Sequence, residues 1–208
     1  MTAAPTLPKA AYDVLNVVAL KKMVTVPDLA GATGRPEDAV TEMLSELTGR
    51  ELVAVAGGAV LPTDGAEPAL KASADEHYAG VRSDPAVADL VDRFETVNAQ
   101  FLVTMSSWQQ IDTGGGHKVA NDHSDAAYDE KVIGRLEKLI RRLTPLLDAL
   151  TGHDPRFAGY PARFAAAMDA IDAGGHELVS SPTRDSVHTI WFEFHEDLLR
   201  TLGRERTE

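Results

Sequence analysis

The stretch RDSVHTIWFEFHEDLL, residues 184–199, places two histidines, four carboxylates and three aromatics within a little over four helical turns. Those residue types can ligate a metal, move protons or line a ligand pocket, and their spacing decides which of these is within reach. Helical positions three or four apart share a face. His188 and His195 are seven apart, about 10.5 Å along an axis rising about 1.5 Å per residue, which is too far to chelate one ion. Asp185 and His188 are three apart and can act on one group. His195 has Trp191, Phe192, Leu198 and Leu199 as helical neighbours, the surroundings of a buried histidine hydrogen-bonded to another helix. Glu193, Glu196, Asp197 and Arg200 are expected on a solvated face.

Ser181-Pro182-Thr183 places Asp185 in a first helical turn, where free amides and the helix dipole favour a carboxylate, so capping and a polar pocket are both open to it. A second polar cluster, Asn121, Asp122, His123, Ser124 and Asp125, reads either as an N-capping segment with Ser124 or Asp125 as cap or as a wall facing Asp185 and His188. In the latter arrangement His123, Asp185 and His188 could hold zinc or another divalent ion through nitrogen and oxygen. No catalytic residue is assigned. The chain has no cysteine, no phosphate-binding glycine loop, no nucleophile elbow and no His-Glu-x-x-His, so a metal-dependent enzyme is only a second alternative.

The elements that must position these groups fall into two regions. In residues 1–70, Tyr12, Leu15, Val18 and Ala19 mark a first helix, Met23 to Val26 a short strand, and Asp28 to Ala32 a second helix cut by Thr33-Gly34. A third helix opens after Pro36 with Val40, Met43, Leu44 and Leu47 on one face, and ELVAVAGGAVLPT alternates around Gly57-Gly58 as a two-residue hairpin. That pattern predicts a winged helix-turn-helix. Residues 71–84 are expected as a linker that becomes helical toward Tyr78, and residues 85–208 as an all-α four-helix bundle with helices near 85–109, 125–151, 155–173 and 184–203. The predicted stripes include Phe94, Phe101 and Trp108, then Tyr128, Leu136 and Leu143, then Phe164 and Met168, then Ile190, Trp191 and Phe194. DTGGGHKVANDHSD is the one long irregular loop inside the bundle, and its three glycines suggest mobility or close backbone approach.

The stretch VTVPDLAGATGRPEDAVTEMLSELTGRELV resembles the helix, turn, recognition helix and wing of the MarR and GntR classes of bacterial winged-helix regulators. The resemblance covers about a third of the chain and implies a DNA-binding regulator with a helical effector and dimerisation domain. GntR relatives with helical effector domains hold a metal with an Asp and His residues from different helices, which implies such a role for Asp185, His188 and His123; their Asp-x-x-x-His spacing is absent here. SSWQQ, NDHSDAAYDEKV and DSVHTIWFEFHEDLLRTLGRER are also similar to bacterial winged-helix proteins associated with phosphoenolpyruvate-utilising enzymes. That likeness implies an accessory role.

Charge complicates the DNA reading. The whole chain carries −12, and residues 1–70 hold five Lys and Arg against nine Asp and Glu, a net of −4. Affinity for duplex DNA comes largely from Lys and Arg on phosphates. The candidate contacts are Lys21, Lys22, Arg35, Thr41 and Ser45, and the first half of the predicted recognition helix also carries Glu37, Asp38 and Glu42. A winged helix used for protein contact is the alternative.

The sequence reading is thus mainly α: a winged helix-turn-helix followed by a bundle, without enzymatic activity and without a certain cofactor beyond a possible divalent metal. Expected partners are DNA, a second copy as homodimer, and a small anionic metabolite gripped by Arg163. A pocket is expected from Asn98, Trp108, Asn121, His123, Tyr128, Arg163, Asp185, His188 and Trp191. So many polar groups on one seam imply either a closed hydrogen-bond network or a ligand that completes it. No run reaches the roughly 20 apolar residues of a membrane span and the start of the chain lacks an apolar signal core, so a cytoplasmic protein is expected.

Overall fold

A computed structural model describes residues 6–112 and 117–204. Gly114, Gly115 and Gly116 of the predicted loop lie outside the described residues. The chain is mainly helical and divides into two compact units, one of residues 1–84 with 193–208, the other of residues 85–192. No described helix is long and apolar enough to cross a membrane.

The first unit opens with α1 (Lys9–Lys21), β1 (Val24–Thr25), α2 (Val26–Thr33) and α3 (Glu37–Gly49). Thr25 caps α2 by accepting from Asp28 N, and Gly34, at φ +63°, ends it in the left-handed region that a side chain resists. The hairpin β2 (Val53–Ala56) and β3 (Ala59–Pro62) turns through Gly57 and Gly58 at φ +60° and +82°, the backbone of a two-residue primed turn. The strand order is β1-β3-β2, all antiparallel. Tyr12, Leu15, Val18, Leu29, Val40, Leu44, Leu47 and Val60 share one buried core.

Residues 71–84 are not a linker. Helix α4 (Ala66–His77) and the short α5 (Ala79–Arg82) occupy this stretch, and Ala66, Ala69, Leu70, Ala74 and Tyr78 join the same core. Ser73 Oγ accepts from Leu7 N at 2.9 Å, and His77 Nε2 lies 2.8 Å from Leu7 O, which fastens α4 to the start of the chain.

The second unit holds α6 (Pro85–Gln109), the ribbon β4 (Gln110–Asp112) and β5 (Lys118–Ala120), α7 (Ala126–Thr151), α8 (Gly159–Asp172) and the first residues of α9 (Val187–Leu202). The predicted stripes are largely the buried ones: Phe94, Phe101, Trp108, Leu136, Leu143, Phe164 and Trp191 are all core residues, whereas Tyr128 is only half-buried and donates its hydroxyl to Ser107 O at 2.9 Å. The loop expected to be irregular is in part regular, because Gln110, Ile111 and Asp112 pair with Ala120, Val119 and Lys118. Helix α9 also breaks the predicted boundary of 85–208, since from Glu193 onward its residues belong to the first unit.

Candidate functional site

In the second unit the nine predicted pocket residues separate into three groups. Trp108, Asn121, His123 and Tyr128 gather where β5 runs into α7. Asp125 caps α7, accepting from Tyr128 N at 3.0 Å, as expected of that segment. Inside it sits a carboxylate that sequence reasoning did not single out: Asp129 is only 3% exposed. Asn121 Nδ2 donates to Asp129 Oδ1 at 2.8 Å and to Trp108 O at 3.1 Å, while its Oδ1 accepts from His123 N. His123 Nδ1 lies 2.9 Å from Asp129 Oδ2, and the ring leans on Trp108 with centroids 4.4 Å apart. A carboxylate at Nδ1 favours the tautomer with its proton there, and Asn121 Nδ2 lies 3.2 Å from the same nitrogen. Beside it, the Ser124 hydroxyl and backbone N–H donate to Asp122 and hold its carboxyl below the usual aspartate value.

The second group is a packed stack. Trp191 lies flat on Phe101, with centroids 3.9 Å apart and planes within 1°, and its Nε1 donates to Asn98 Oδ1 at 2.9 Å. His188 is stacked on the same Phe101 ring at 6.3 Å. The third group is Arg163 with Asp185, a two-pronged pair at 2.8 and 3.0 Å.

Three expectations change as a result. Asp185 does not cap α9; Ser186 does, its Oγ accepting from Thr189 N at 3.2 Å. Arg163 is not held open for an anionic ligand, because Asp185 already takes both prongs of its fork. His123, Asp185 and His188 do not assemble as metal ligands: His123 is engaged by Asp129 and Asp185 by Arg163, and among the described residues no three His, Asp or Glu side chains are grouped to hold an ion. Asp185 is half exposed, and a solvated ion pair contributes at most about 1 kcal/mol, so Asp185→Ala is expected to shift the urea midpoint only slightly. A loss of several kcal/mol in that measurement would assign the pair a structural role.

The first unit corrects the expected solvated face of α9. Glu193 and Asp197 are buried. Glu193 accepts from Lys21 at 3.1 Å, and Asp197 accepts from Asn16 Nδ2 at 2.7 Å. Arg200 donates to Asn16 Oδ1 and to Glu67 at 2.8 Å. The chain then ends α9 with Gly203 at φ +66°, and Arg82 lays its guanidinium against that glycine and donates to Thr201 O at 2.7 Å. Beside these groups lies a cleft of about 230 Å³ lined by Lys71, Asp75, Arg82, Glu196, Arg200 and Arg204 together with Ala74 and Leu199 among others. Two of its cations are already engaged, Arg82 by Asp75 and Arg200 by Glu67.

The candidate nucleic-acid contacts divide unevenly. Lys21 points to Glu193, and Arg35 approaches Asp13 at 3.5 Å with its Nε buried and lacking a hydrogen-bond partner among the described residues. Lys22 and Ser45 are exposed, and the exposed Thr41 returns its hydroxyl to Glu37 O at 2.7 Å. Around them the exposed face of α3 shows Glu37, Asp38, Glu42 and Glu46. The sequence could have disclosed the buried acids by register: Asp129 lies three positions before Val132 on the α7 stripe, and Glu193 and Asp197 are four apart beside the α9 stripe.

No protein-family model, curated protein or solved structure gives a significant match to this chain.

Proposed function

We propose that this chain is a regulatory or accessory protein in which residues 6–62 form a winged helix used for protein contact, and in which the second unit, α6, α7 and α8 with the first turns of α9, is a helical accessory domain. The observation that carries this reading is the use of charge on the first unit. Of the three basic residues that would meet phosphates, Lys21 and Arg35 lie beside Glu193 and Asp13, while Glu37, Asp38, Glu42 and Glu46 stand exposed on α3. Duplex DNA presents a dense row of negative charge, so this surface repels it; a basic protein surface is complementary. The hairpin adds apolar contact area, since Val55 and neighbouring Ala54 and Ala56 are exposed, as is Met23 beside β1.

In fluorescence anisotropy at low salt, the full chain is expected to leave both its own upstream region and a random duplex unbound. The triple substitution Glu37→Lys, Asp38→Lys and Glu42→Lys is expected to create salt-sensitive binding to either duplex, because only charge bars the approach. Binding by the unaltered chain that weakens in Arg35→Ala would return the reading to a DNA-binding regulator. For the protein partner, a photo-crosslinker at position 41 is expected to capture a defined product that is lost in Glu42→Lys and absent when the crosslinker sits at the exposed Asp148.

A further inference from the structure

Helix α4 sets Glu67, Lys71 and Asp75 four residues apart on one face, the spacing at which a lysine pairs with an acid one turn above or below it. Here it pairs with neither. Glu67 is taken by Arg200 at 2.8 Å and Asp75 by Arg82 at 2.6 Å, and the exposed Lys71 side chain makes no ion pair or hydrogen bond among the described residues. A second cation stands on the same cleft in the same condition. Gly203, at φ +66°, turns the chain at the end of α9 so that its N–H donates to Arg200 O at 3.1 Å and Arg204 N donates to Leu199 O at 2.9 Å, the paired bonds that close a helix on a left-handed glycine. This closure fixes the backbone of Arg204 at the cleft, and its exposed guanidinium makes no ion pair among the described residues.

We propose that this cleft binds a small organic phosphate, with Lys71 and Arg204 on the phosphate group. On a chain of net charge −12 the cleft is a local excess of positive charge, since its described lining holds four cations and three acids, two of the acids being already neutralised by Arg82 and Arg200. Two unpaired cations match a single group of charge near −2, which a phosphate monoester carries at neutral pH and a carboxylate does not. The bare carbonyls of a helix C-terminus would oppose an anion. Those of Arg200 and Thr201 are covered, because Arg82 donates to them at 3.3 and 2.7 Å. Ala74 and Leu199 offer apolar surface to the carbon portion of the ligand, and the remaining acid, Glu196, disfavours a second anionic group on it. The volume of about 230 Å³ lies below the roughly 300–1,000 Å³ of clefts for drug-sized ligands, so the ligand is compact. None of these residues belongs to the acidic face of α3, and the proposal stands independently of the protein-contact reading.

Titration calorimetry of the full chain at low salt and neutral pH tests this with glycerol 3-phosphate, inorganic phosphate, succinate and glycerol as probes. Glycerol 3-phosphate is expected to bind with a Kd below about 1 mM, and inorganic phosphate at least about threefold more weakly because it leaves Ala74 and Leu199 uncovered. Succinate and glycerol are expected to give no measurable binding, the first for its second anionic group and the second for its lack of charge. Lys71→Gln and Arg204→Gln are each expected to raise the Kd for glycerol 3-phosphate at least about tenfold, while Lys131→Gln, an equal loss of charge on α7, leaves it within about twofold. Both cleft side chains are exposed, so the far-ultraviolet circular dichroism of their variants is expected to be unchanged. No binding of glycerol 3-phosphate up to about 10 mM, an affinity indifferent to both cleft variants, an equal loss in Lys131→Gln, or inorganic phosphate or succinate binding as tightly as the ester overturns the proposal.

Discussion

Trp191→Ala is expected to destabilise the second unit by about 3–5 kcal/mol, the range for removing a large aromatic from a packed core. The indole is 2% exposed and lies flat on Phe101 at 3.9 Å, with Phe164 edge-on at 6.0 Å. Its removal takes apolar area from contact, leaves a cavity the neighbouring rings cannot fill without leaving their rotamers, and frees the Asn98 oxygen, which would then sit buried without the indole donor. Trp191→Phe separates these contributions: it keeps most of the stack but strands Asn98, at about 1–3 kcal/mol. Denaturant unfolding followed by far-ultraviolet circular dichroism measures both. A loss below about 1 kcal/mol for the alanine variant would mean the site tolerates emptiness, as a ligand pocket does, and would revive the sequence-based expectation that Asn98 and Trp191 line one.

That contrast marks where the sequence was informative. Stripes of large apolar residues located α6, α7, α8 and α9, and Gly57-Gly58 located the hairpin, because burial and left-handed turns leave strong local signatures. Helix α4 was read as linker because its inward stripe is largely alanine with a serine, small groups that bury well without looking hydrophobic. The ribbon of β4 and β5 is three residues a side, too short to show a period. Charged residues misled most. Asp129, Glu193 and Asp197 were given to solvent or passed over because carboxylates are seldom buried, and what keeps Asp197 inside is a partner 181 residues away in sequence. Pairing at that distance is decided by the assembled fold and has no local trace. Arg163 failed as a ligand contact for the same reason: its charge suited an anion, and the fold had already supplied one in Asp185.

Asn16→Leu is expected to destabilise the first unit by about 3 kcal/mol although the volumes nearly match, because a buried carboxylate and a guanidinium both lose a partner. Asn16 is 1% exposed, and its amide is used from both ends: Nδ2 donates to Asp197 Oδ1 at 2.7 Å and Oδ1 accepts from Arg200. Only a group that is donor and acceptor at once can stand between an acid and a base in this way. Asn16→Asp keeps the acceptor for Arg200 but sets a second carboxylate against Asp197, so it is expected to be no better than leucine at neutral pH. The decisive variant is Asn16→Leu with Asp197→Leu. Removing both ends of a buried polar contact is far less costly than removing one, and Arg200 retains Glu67, so the double variant is expected to recover most of the urea midpoint lost by Asn16→Leu alone. Losses that simply add would show that Asp197 is held by its other contacts and that Asn16 serves Arg200 alone. Recovery would identify the Asn16–Asp197 contact as the coupling between the start of the chain and the last helix within this unit.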